Sequence, residues 1–399
     1  MKIVQLCTDN RDLFGEHNKE VPLFGAAPVA LLQGFSQIAN VEVHVVSCVR
    51  KKVSSPHFVF NNIHYHSVIV PKSGWMSTLY SGCIKATKCL LREIQPDIVH
   101  GQGTERDCAM TSSHSAFTNV ITIHGNMAEL YRLGMTFKSA RLYGFLAANL
   151  ENHALSRTSG VFCNSAYTES LVAPRAKQTW RVPNAIRAEF FRPSSIASRP
   201  NDVPILLNVG HLGMRKRQLE ILRLAAELHN EGYRFKLIFT GDTQYTDEYN
   251  RAFATELENA VKAGYAAHTG FLDSDKLIQL MDQADGFVHF PSEEAFGLVV
   301  AEALARGLKF FGANLGGIKE IGNEVPGAEL FDNMNDLKDG ISSWLAAGAY
   351  RMPGAADRMK KLYSPHAVAR RHVEIYASLL GANDSPLLAH STSEMNLET

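Results

Sequence analysis

The most informative stretch of the chain is Pro291–Gly307, which reads PSEEAFGLVVAEALARG. Its second half is apolar apart from one carboxylate, Glu302, so the pattern predicts a buried helix that contains a buried acid. An ionised carboxylate in such a place is costly unless hydrogen-bond donors meet it. Two interpretations are open: a structural glutamate that the protein satisfies, or a carboxylate that binds a ligand with several hydroxyls, such as a ribose.

The residues around Glu302 favour a ligand. The apolar run GFVHF at 286–290 predicts a buried parallel strand, and Glu294 follows it in a loop. Phe296, Gly297 and Leu298 begin the next helix, where backbone N–H groups are free and suit a phosphate or a sugar oxygen. In open α/β sheets, ligands bind beyond the carboxyl ends of strands. We therefore expect the loop, the helix start and both glutamates to form a binding site.

Composition limits the class of protein. The chain has 399 residues, 45% of them hydrophobic, and a formal net charge of zero, so two domains fit and bulk nucleic-acid binding gains no support. Its six cysteines all fall in the first half without a Cys-x2-Cys pair, which predicts reduced cysteines of a cytoplasmic protein. No apolar run approaches the ~20 residues that span a bilayer, so we expect any membrane contact to be peripheral.

Charge is divided unevenly along the chain. Residues 1–188 contain 19 Lys and Arg against 12 Asp and Glu, whereas residues 189–399 contain 21 against 28. Two solvated surfaces of opposite sign would explain this division. The other interpretation is a basic N-terminal half that faces an anionic acceptor or a membrane surface.

Strand-like and helix-like segments alternate in two cycles, which predicts an α/β protein with two doubly wound, Rossmann-like, parallel-sheet domains. We place the first domain at residues 1–188 and the second at 189–364, near a polar stretch at 193–204 that reads as a linker. A helix is predicted at 365–382, and residues 383–399 are expected to be a disordered tail.

The first half has weaker signals. Small residues at Gly25 and Ala26, before the first long helix, would let a ligand approach the backbone. The segments PDIVH at 96–100 and ITIH at 121–124 predict two strands that each end in histidine, His100 and His124. Each histidine could be structural, or it could lie at the ligand-binding edge of a parallel sheet.

Taken together, these motifs resemble the retaining glycosyltransferases of family four, which have the GT-B architecture of two domains facing a cleft. The resemblance covers nearly the whole chain. Its most specific element is the Glu-x7-Glu run that joins Glu294 to Glu302. The other elements follow in the expected order: PDIVH at 96–100, TIHG at 122–125, VPN at 182–184, VG at 209–210 with Lys216, and GG at 316–317 with Glu320.

The resemblance implies a role for each matching residue. Glu302 would hold the ribose of a nucleotide, Glu294 would contact the donor sugar, and the amides at the helix start would meet the sugar and the diphosphate. Lys216 would neutralise the diphosphate. His124 would contact the donor sugar near the reacting carbon, and the Gly25 loop would close over the phosphates. The last helix would cross back onto the first domain.

Three positions depart from the family pattern. The residue after Gly210 is His211, where the family usually has arginine, and Arg217 follows the lysine in place of glycine. Arg215 or Arg217 would then supply the second cation of the phosphate site. The cluster RKR at 215–217 also allows the plainer interpretation of a solvated, charged surface. In the N-terminal loop, Gly25 is followed by alanine instead of a second glycine.

The implied reaction moves a sugar from a nucleotide-diphosphate donor to an acceptor hydroxyl of a glycan, a lipid-linked molecule or a small molecule, with retention. No Asp-x-Asp follows a predicted strand, so we expect neither a metal nor a cofactor beyond the donor substrate. Two alternatives remain. One keeps the fold but epimerises or phosphorolyses its substrate, and the other is a non-catalytic protein that binds sugar nucleotides. Product analysis with a labelled donor separates them.

Overall fold

A computed structural model of the chain describes residues 1–134, 141–194, 202–242 and 247–381. The chain divides into two compact units. The first unit contains Met1–Arg187 and the chain from Ser364 onward, and the second contains Ala188–Tyr363. The predicted tail at 383–399 and most of the polar stretch at 193–204 lie outside the described residues.

The first unit is built on an eight-stranded sheet with the order β3-β4-β2-β1-β5-β6-β7-β8. Among the described residues, β3 and β4 form its one antiparallel pair, and all other neighbours are parallel. The strands are β1 Lys2–Leu6, β2 Glu42–Val49, β3 His57–Phe60, β4 Ile63–Ile69, β5 Ile98–Gln102, β6 Thr118–Ile123, β7 Gly160–Cys163 and β8 Thr179–Arg181.

The C-terminal helix completes the core of the first unit. Val368, Val373 and Tyr376 are buried in one cluster with side chains of the central strands. A Cβ atom on Gly34 would lie only 2.0 Å from the carbonyl oxygen of Pro365, so only glycine allows this helix to approach so closely. The helices of the unit are α1 Arg11–Phe14, α2 Ala26–Phe35, α3 Ser81–Ile94, α4 Asp107–Ser113, α5 Met127–Arg132, α6 Arg141–Arg157, α7 Ala166–Val172 and the C-terminal α15 Pro365–Leu379.

The second unit has a six-stranded sheet with the order β11-β10-β9-β12-β13-β14, and every pair described is parallel. The chain begins at β9 in the middle, adds strands on one side, and then crosses to β12 on the other side. Ligands of doubly wound sheets bind at this point of reversal, beyond the carboxyl ends of the strands. The strands are β9 Ile205–Val209, β10 Lys236–Thr240, β11 Ala266–His268, β12 Gly286–His289, β13 Lys309–Ala313 and β14 Ala328–Phe331.

Helices follow the strands of the second sheet and bury their apolar faces against it. Phe239, Phe253, Val288 and Trp344 belong to one cluster that joins strands and helices. The helices are α8 Gln218–Asn230, α9 Glu248–Ala263, α10 Ser274–Gln283, α11 Leu298–Ala305, α12 Gly316–Gly322, α13 Met334–Ala346 and α14 Ala356–Tyr363.

The predicted fold class, two parallel-sheet α/β domains, is confirmed. One strand departs from the parallel pattern: β3 pairs with β4 in the antiparallel direction. None of the four side chains of β3 is buried, although three of them are apolar, so it is an exposed edge strand and not one of the buried strands that apolar runs predict.

Candidate active site

Two loops meet at the point where the second sheet reverses direction. The loop after β9 contains a short turn, Met214–Lys216, and the loop after β12 contains Glu293 and Glu294. The Nζ atom of Lys216 donates to Oε2 of Glu294 across a separation of 78 residues in sequence. One Nη atom of Arg215 lies 2.9 Å from the carbonyl oxygen of Glu293 and 3.1 Å from its carboxylate. Two cations and two carboxylates therefore come together here.

Glu294 is a largely buried carboxylate held ionised by its neighbours. Burial alone raises its pKa, but the charge of Lys216, a hydrogen bond with His289 and the charge of Arg215 bring the pKa well below its ordinary value. Its side chain is 13% exposed and that of Lys216 is 17% exposed, so little water screens the pair. Lys216 forms an ion pair with the carboxylate of Glu294. The interpretation of residues 215–217 as a solvated surface cluster is therefore wrong for Lys216.

A second partner of the Glu294 carboxylate is the ring of His289. It is the last residue of β12, is 1% exposed, and places Nε2 3.3 Å from the carboxylate. Burial and the charge of Lys216 lower its pKa to about 4, so the ring is neutral near pH 7. A neutral ring that donates from Nε2 to a carboxylate carries no proton on Nδ1. That Nδ1 atom is buried and has no hydrogen-bond partner among the described residues.

Glycine fixes the backbone between Glu294 and helix α11. Gly297 has φ +93°, in a region that side chains rarely adopt, and it caps the helix without a side chain of its own. The N–H of Gly317 donates to the carbonyl oxygen of Glu294 over 3.1 Å. A Cβ atom on Gly317 would lie 2.4 Å from the Cα of Phe296. Phe296, Gly297 and Leu298 are thus held where the first amides of α11 begin.

Glu302 lies in the middle of α11 and is 1% exposed. Val300, Ala301, Ala303 and Leu304 around it are fully buried. Glu302 makes a polar or electrostatic interaction within the protein, so it is not without a partner. Burial is therefore compatible with a ligand at this position but does not require one.

The glycine-rich end of β9 is tightly packed. Gly210 has φ +153°, and a Cβ atom on Gly241 would lie 2.1 Å from the carbonyl oxygen of Gly210. Arg217 adopts φ +55° at the start of α8, and its guanidinium lies 5.5 Å from the ring centroid of Phe290. Gly210 and Arg217 thus lie at the same edge of the sheet as Lys216. His211 also follows β9, but its side chain is exposed to solvent.

His124 occupies the corresponding edge of the first sheet. It follows β6, and its Nε2 lies 3.0 Å from Oε1 of Gln102, the last residue of β5. Its Nδ1 atom is buried without a hydrogen-bond partner among the described residues. Burial lowers the pKa of His124 to about 4, although a weak hydrogen bond with the side chain of Asn184, too poor in geometry to satisfy Nδ1, raises it. Gln102, His124, Asn184 and His372 line a small cavity.

The prediction that a strand ends at His100 is wrong, and of the two interpretations left open for this histidine the structural one is correct. It lies inside β5, is fully buried, and its Nε2 is 2.7 Å from Oγ1 of Thr122 while Nδ1 meets the hydroxyl of Tyr376. Its two ring nitrogens are therefore occupied within the protein.

Gly25 precedes α2 with an ordinary φ of −64°. A Cβ atom there would approach only Cδ of Pro28, at 3.9 Å. Neither the backbone nor the packing of the described residues demands glycine at this position, which leaves the space beside it open to a ligand.

One group of described side chains has the composition of a metal site. Cys48, Cys83 and Asp107 place their ligand atoms within 4.8 Å of one another, and all three residues are buried in the first unit. A hydrogen bond with Cys83 and burial raise the pKa of Cys48, and burial raises the pKa of Asp107 to about 6. The thiol of Cys48 instead donates a hydrogen bond to the carboxylate of Asp107.

Comparisons with known proteins identify the family of the chain. The family described as "Glycosyltransferase Family 4" matches residues 29–190, and "Glycosyl transferases group 1" matches residues 192–360. The chain belongs to glycosyltransferase family four. A curated relative of this family member is the phosphatidylinositol N-acetylglucosaminyltransferase GPI3 subunit of Saccharomyces cerevisiae, 23% identical over 86% of this chain and 81% of that protein.

The chain is also similar to part of a plant transferase and to two solved structures. Sulfoquinovosyl transferase of Arabidopsis thaliana is 32% identical over 30% of this chain and 21% of that protein. Sucrose-phosphate synthase of Thermosynechococcus elongatus has a TM-score of 0.72 at 16% identity, covering 96% of this chain and 100% of the other. Anabaena HepE in complex with UDP-glucose has a TM-score of 0.69 at 17% identity, covering 95% and 100%. These structures share the GT-B fold.

Sequence reasoning missed His289 and Gln102. Both end a strand next to a residue that had been identified, Glu294 in one case and His124 in the other. Their position at the carboxyl end of a parallel strand is a signal that the sequence contains. The residues that His289 and Gln102 contact cannot be read from the sequence, because those contacts depend on side-chain orientation.

We predict that Lys216→Ala lowers the free energy of urea unfolding by about 3 kcal/mol, because it leaves the buried Glu294 carboxylate without its cation. The matched control is Lys262→Ala, which breaks an exposed pair with Glu258 and is expected to change nothing measurable. Adding Glu294→Gln to Lys216→Ala should restore part of the loss. A Lys216→Ala protein as stable as the control would contradict the ion-pair account.

Proposed function

We propose that the chain transfers a sugar from a nucleoside-diphosphate donor to an acceptor hydroxyl with retention, as a hexosyltransferase-like enzyme. One observation carries the proposal: the Lys216–Glu294 pair with His289 beneath it, at the reversal point of the second sheet and beside the start of α11. The site offers cations and free amides for a diphosphate and a carboxylate for sugar hydroxyls, within one small, weakly screened region.

The ion pair has a direct role in this reaction. An arriving diphosphate carries more charge than a carboxylate, so it competes for the ammonium of Lys216 and for the guanidinium of Arg215. Glu294 then loses part of its neutralisation and gains the capacity to accept hydrogen bonds from sugar hydroxyls. As the glycosidic bond breaks, negative charge grows on the phosphate oxygen, and the same cations stabilise it.

Glu302 and the start of α11 would bind the nucleoside part of the donor. The helix presents its first amides near Phe296–Leu298, and Glu302 follows one turn later on the same short helix. A carboxylate can accept two hydroxyls of a ribose at once. The similarity to HepE, whose structure was solved in complex with UDP-glucose, supports a nucleotide sugar as the ligand class.

We propose that the reaction needs no metal ion. A divalent cation in phosphoryl chemistry neutralises charge on the leaving group. Lys216 and Arg215 lie together at the proposed diphosphate position and can supply that charge themselves. His124, with its buried and unprotonated Nδ1 atom, is assigned to a hydroxyl of the donor sugar.

We further propose a lipid-linked acceptor reached by peripheral contact with the cytoplasmic face of a membrane. No described helix is both long and apolar enough to cross a bilayer. Leu142 is 71% exposed, Phe145 is 49% exposed, and the exposed Arg141 precedes them on α6. Leu79, Leu146 and further apolar side chains line a groove on the same unit. Apolar side chains beside basic ones suit an anionic lipid surface.

The name of one relative agrees with such an acceptor. The yeast protein is named for transfer to phosphatidylinositol and is called a subunit. By analogy with this relative, we propose that the acceptor is a lipid and that the protein works with a partner protein.

For the donor site, we predict that Glu302→Gln weakens binding of the cognate nucleotide sugar by about ten- to a hundredfold, because it removes a charge-assisted hydrogen bond. The measurement is a thermal-shift panel of UDP-, GDP- and ADP-sugars in excess EDTA. A ligand at 100 times its dissociation constant adds about 2.7 kcal/mol to stability. Glu258→Gln, at an exposed position of the same unit, is the control. Equal shifts for both variants would refute the assignment of Glu302.

For the membrane surface, we predict that Leu142→Asp reduces binding to phosphatidylcholine vesicles that contain phosphatidylserine, because a charge replaces an apolar contact. The matched control is Phe271→Asp, since Phe271 is 72% exposed on the second unit and Leu142 is 71% exposed on the first. Co-sedimentation with the vesicles measures the difference. The surface is wrongly assigned if the two variants lose binding equally or if the unmodified chain does not bind.

A further inference from the structure

A buried chain of hydrogen bonds connects the C-terminal helix to His124. The amide of Gln102 donates from Nε2 to Oε1 of Gln5 over 2.7 Å, and Nε2 of Gln5 donates to the hydroxyl of Tyr376 over 3.2 Å. At the other end, Nε2 of His124 lies 3.0 Å from Oε1 of Gln102. Tyr376 belongs to α15, 371 residues away from Gln5 in sequence.

The direction of these bonds fixes the proton on His124. Because the NH2 group of Gln102 donates to Gln5, its carbonyl oxygen faces His124 and can only accept. Nε2 of His124 must therefore carry the proton, and Nδ1 carries none. This leaves Nδ1 as a buried acceptor. The side chain of Asn184 lies close enough to His124 to raise the pKa of the ring, but no described residue meets Nδ1 at hydrogen-bond geometry.

The hydroxyl of Tyr376 is the last member of this series of hydrogen bonds, and it both accepts one bond and donates another. It accepts from Gln5 and donates to Nδ1 of His100, whose Nε2–H donates to Oγ1 of Thr122 over 2.7 Å. Gln5 is 1% exposed, while His100 and Tyr376 are fully buried. Water cannot easily replace a lost partner there, so a reversed amide would leave a buried donor or acceptor unsatisfied.

We propose that Tyr376 is a positioning residue that holds His124 in the Nε2–H tautomer, so that Nδ1 accepts a hydrogen bond from a hydroxyl of the substrate. The helix α15 would then take part in the reaction through two glutamines and not only through packing. That the hydroxyl belongs to a donor sugar rests on the proposed function. The tautomer itself does not.

Removal of the tyrosine hydroxyl has a defined consequence. In Tyr376→Phe, Nε2 of Gln5 loses its acceptor and Nδ1 of His100 loses its donor. The Gln5 amide is then free to reverse, and reversal brings its NH2 group toward Gln102. Gln102 would reverse in turn and present a donor to Nε2 of His124, which moves the ring proton to Nδ1.

The test is ¹⁵N NMR of histidine-labelled full-length protein without ligand, with the His124 signal assigned from His124→Gln. The unmodified protein should show the Nε2–H tautomer, and Tyr376→Phe should show a substantial population of the Nδ1–H tautomer. Tyr65→Phe, which removes the hydroxyl of another buried tyrosine of the same unit, should leave the signal unchanged. An unchanged tautomer in folded Tyr376→Phe would overturn the proposal.

A second variant separates positioning from general destabilisation. Gln102→Glu keeps an acceptor that cannot reverse, so adding it to Tyr376→Phe should return His124 to the Nε2–H tautomer. Failure of this rescue in a folded double variant would also overturn the proposal.

Activity then distinguishes this proposal from the proposed function. With a cognate donor, Tyr376→Phe should lower kcat roughly tenfold with little change in KM for the donor. A shifted tautomer in a protein that transfers no sugar from any donor would support the hydrogen-bond chain and refute the proposed function. An altered kcat with an unaltered tautomer would refute the proposed role of the hydrogen-bond network but not the proposed function.

Discussion

The buried ion pair between Lys216 and Glu294 is the interaction on which the second unit's site depends. Doubly wound topology places β9 beside β12, so two loops that are 78 residues apart meet at one edge of the sheet. Glycines at 297 and 317 then fix the backbone that carries Glu294. Charges of opposite sign stabilise each other there without ligand. In the function proposed above, a diphosphate would redistribute them because it would compete for the same cation.

The two units use histidine in the same way. His289 ends a strand of the second sheet and His124 follows one of the first, and each ring commits Nε2 to a side-chain acceptor. Each leaves a buried Nδ1 without a hydrogen-bond partner among the residues described, and burial lowers both pKa values to about 4. Near pH 7 both rings are therefore neutral. A buried acceptor without a partner costs stability, which is acceptable where a substrate hydroxyl supplies the donor.

Local pattern was enough to predict the sheets and the location of the loops, because β-rich runs and helical periods alternate clearly in this chain. It also predicted the burial of Glu302, since one acid in an apolar helix has few other places to lie. It could not predict that Lys216 binds Glu294, that His100 lies inside β5, or that Tyr376 reaches Gln5. These contacts depend on which strands are neighbours and on side-chain direction, which residue spacing does not contain.

The most direct test of the account is a crystal structure of the chain with its nucleotide-sugar donor. We expect the Nζ atom of Lys216 to have moved from Glu294 to a diphosphate oxygen, and the carboxylate of Glu302 to lie within hydrogen-bond distance of the ribose hydroxyls. A donor bound away from α11, or a Lys216–Glu294 pair that stays closed with the donor in place, would contradict the account.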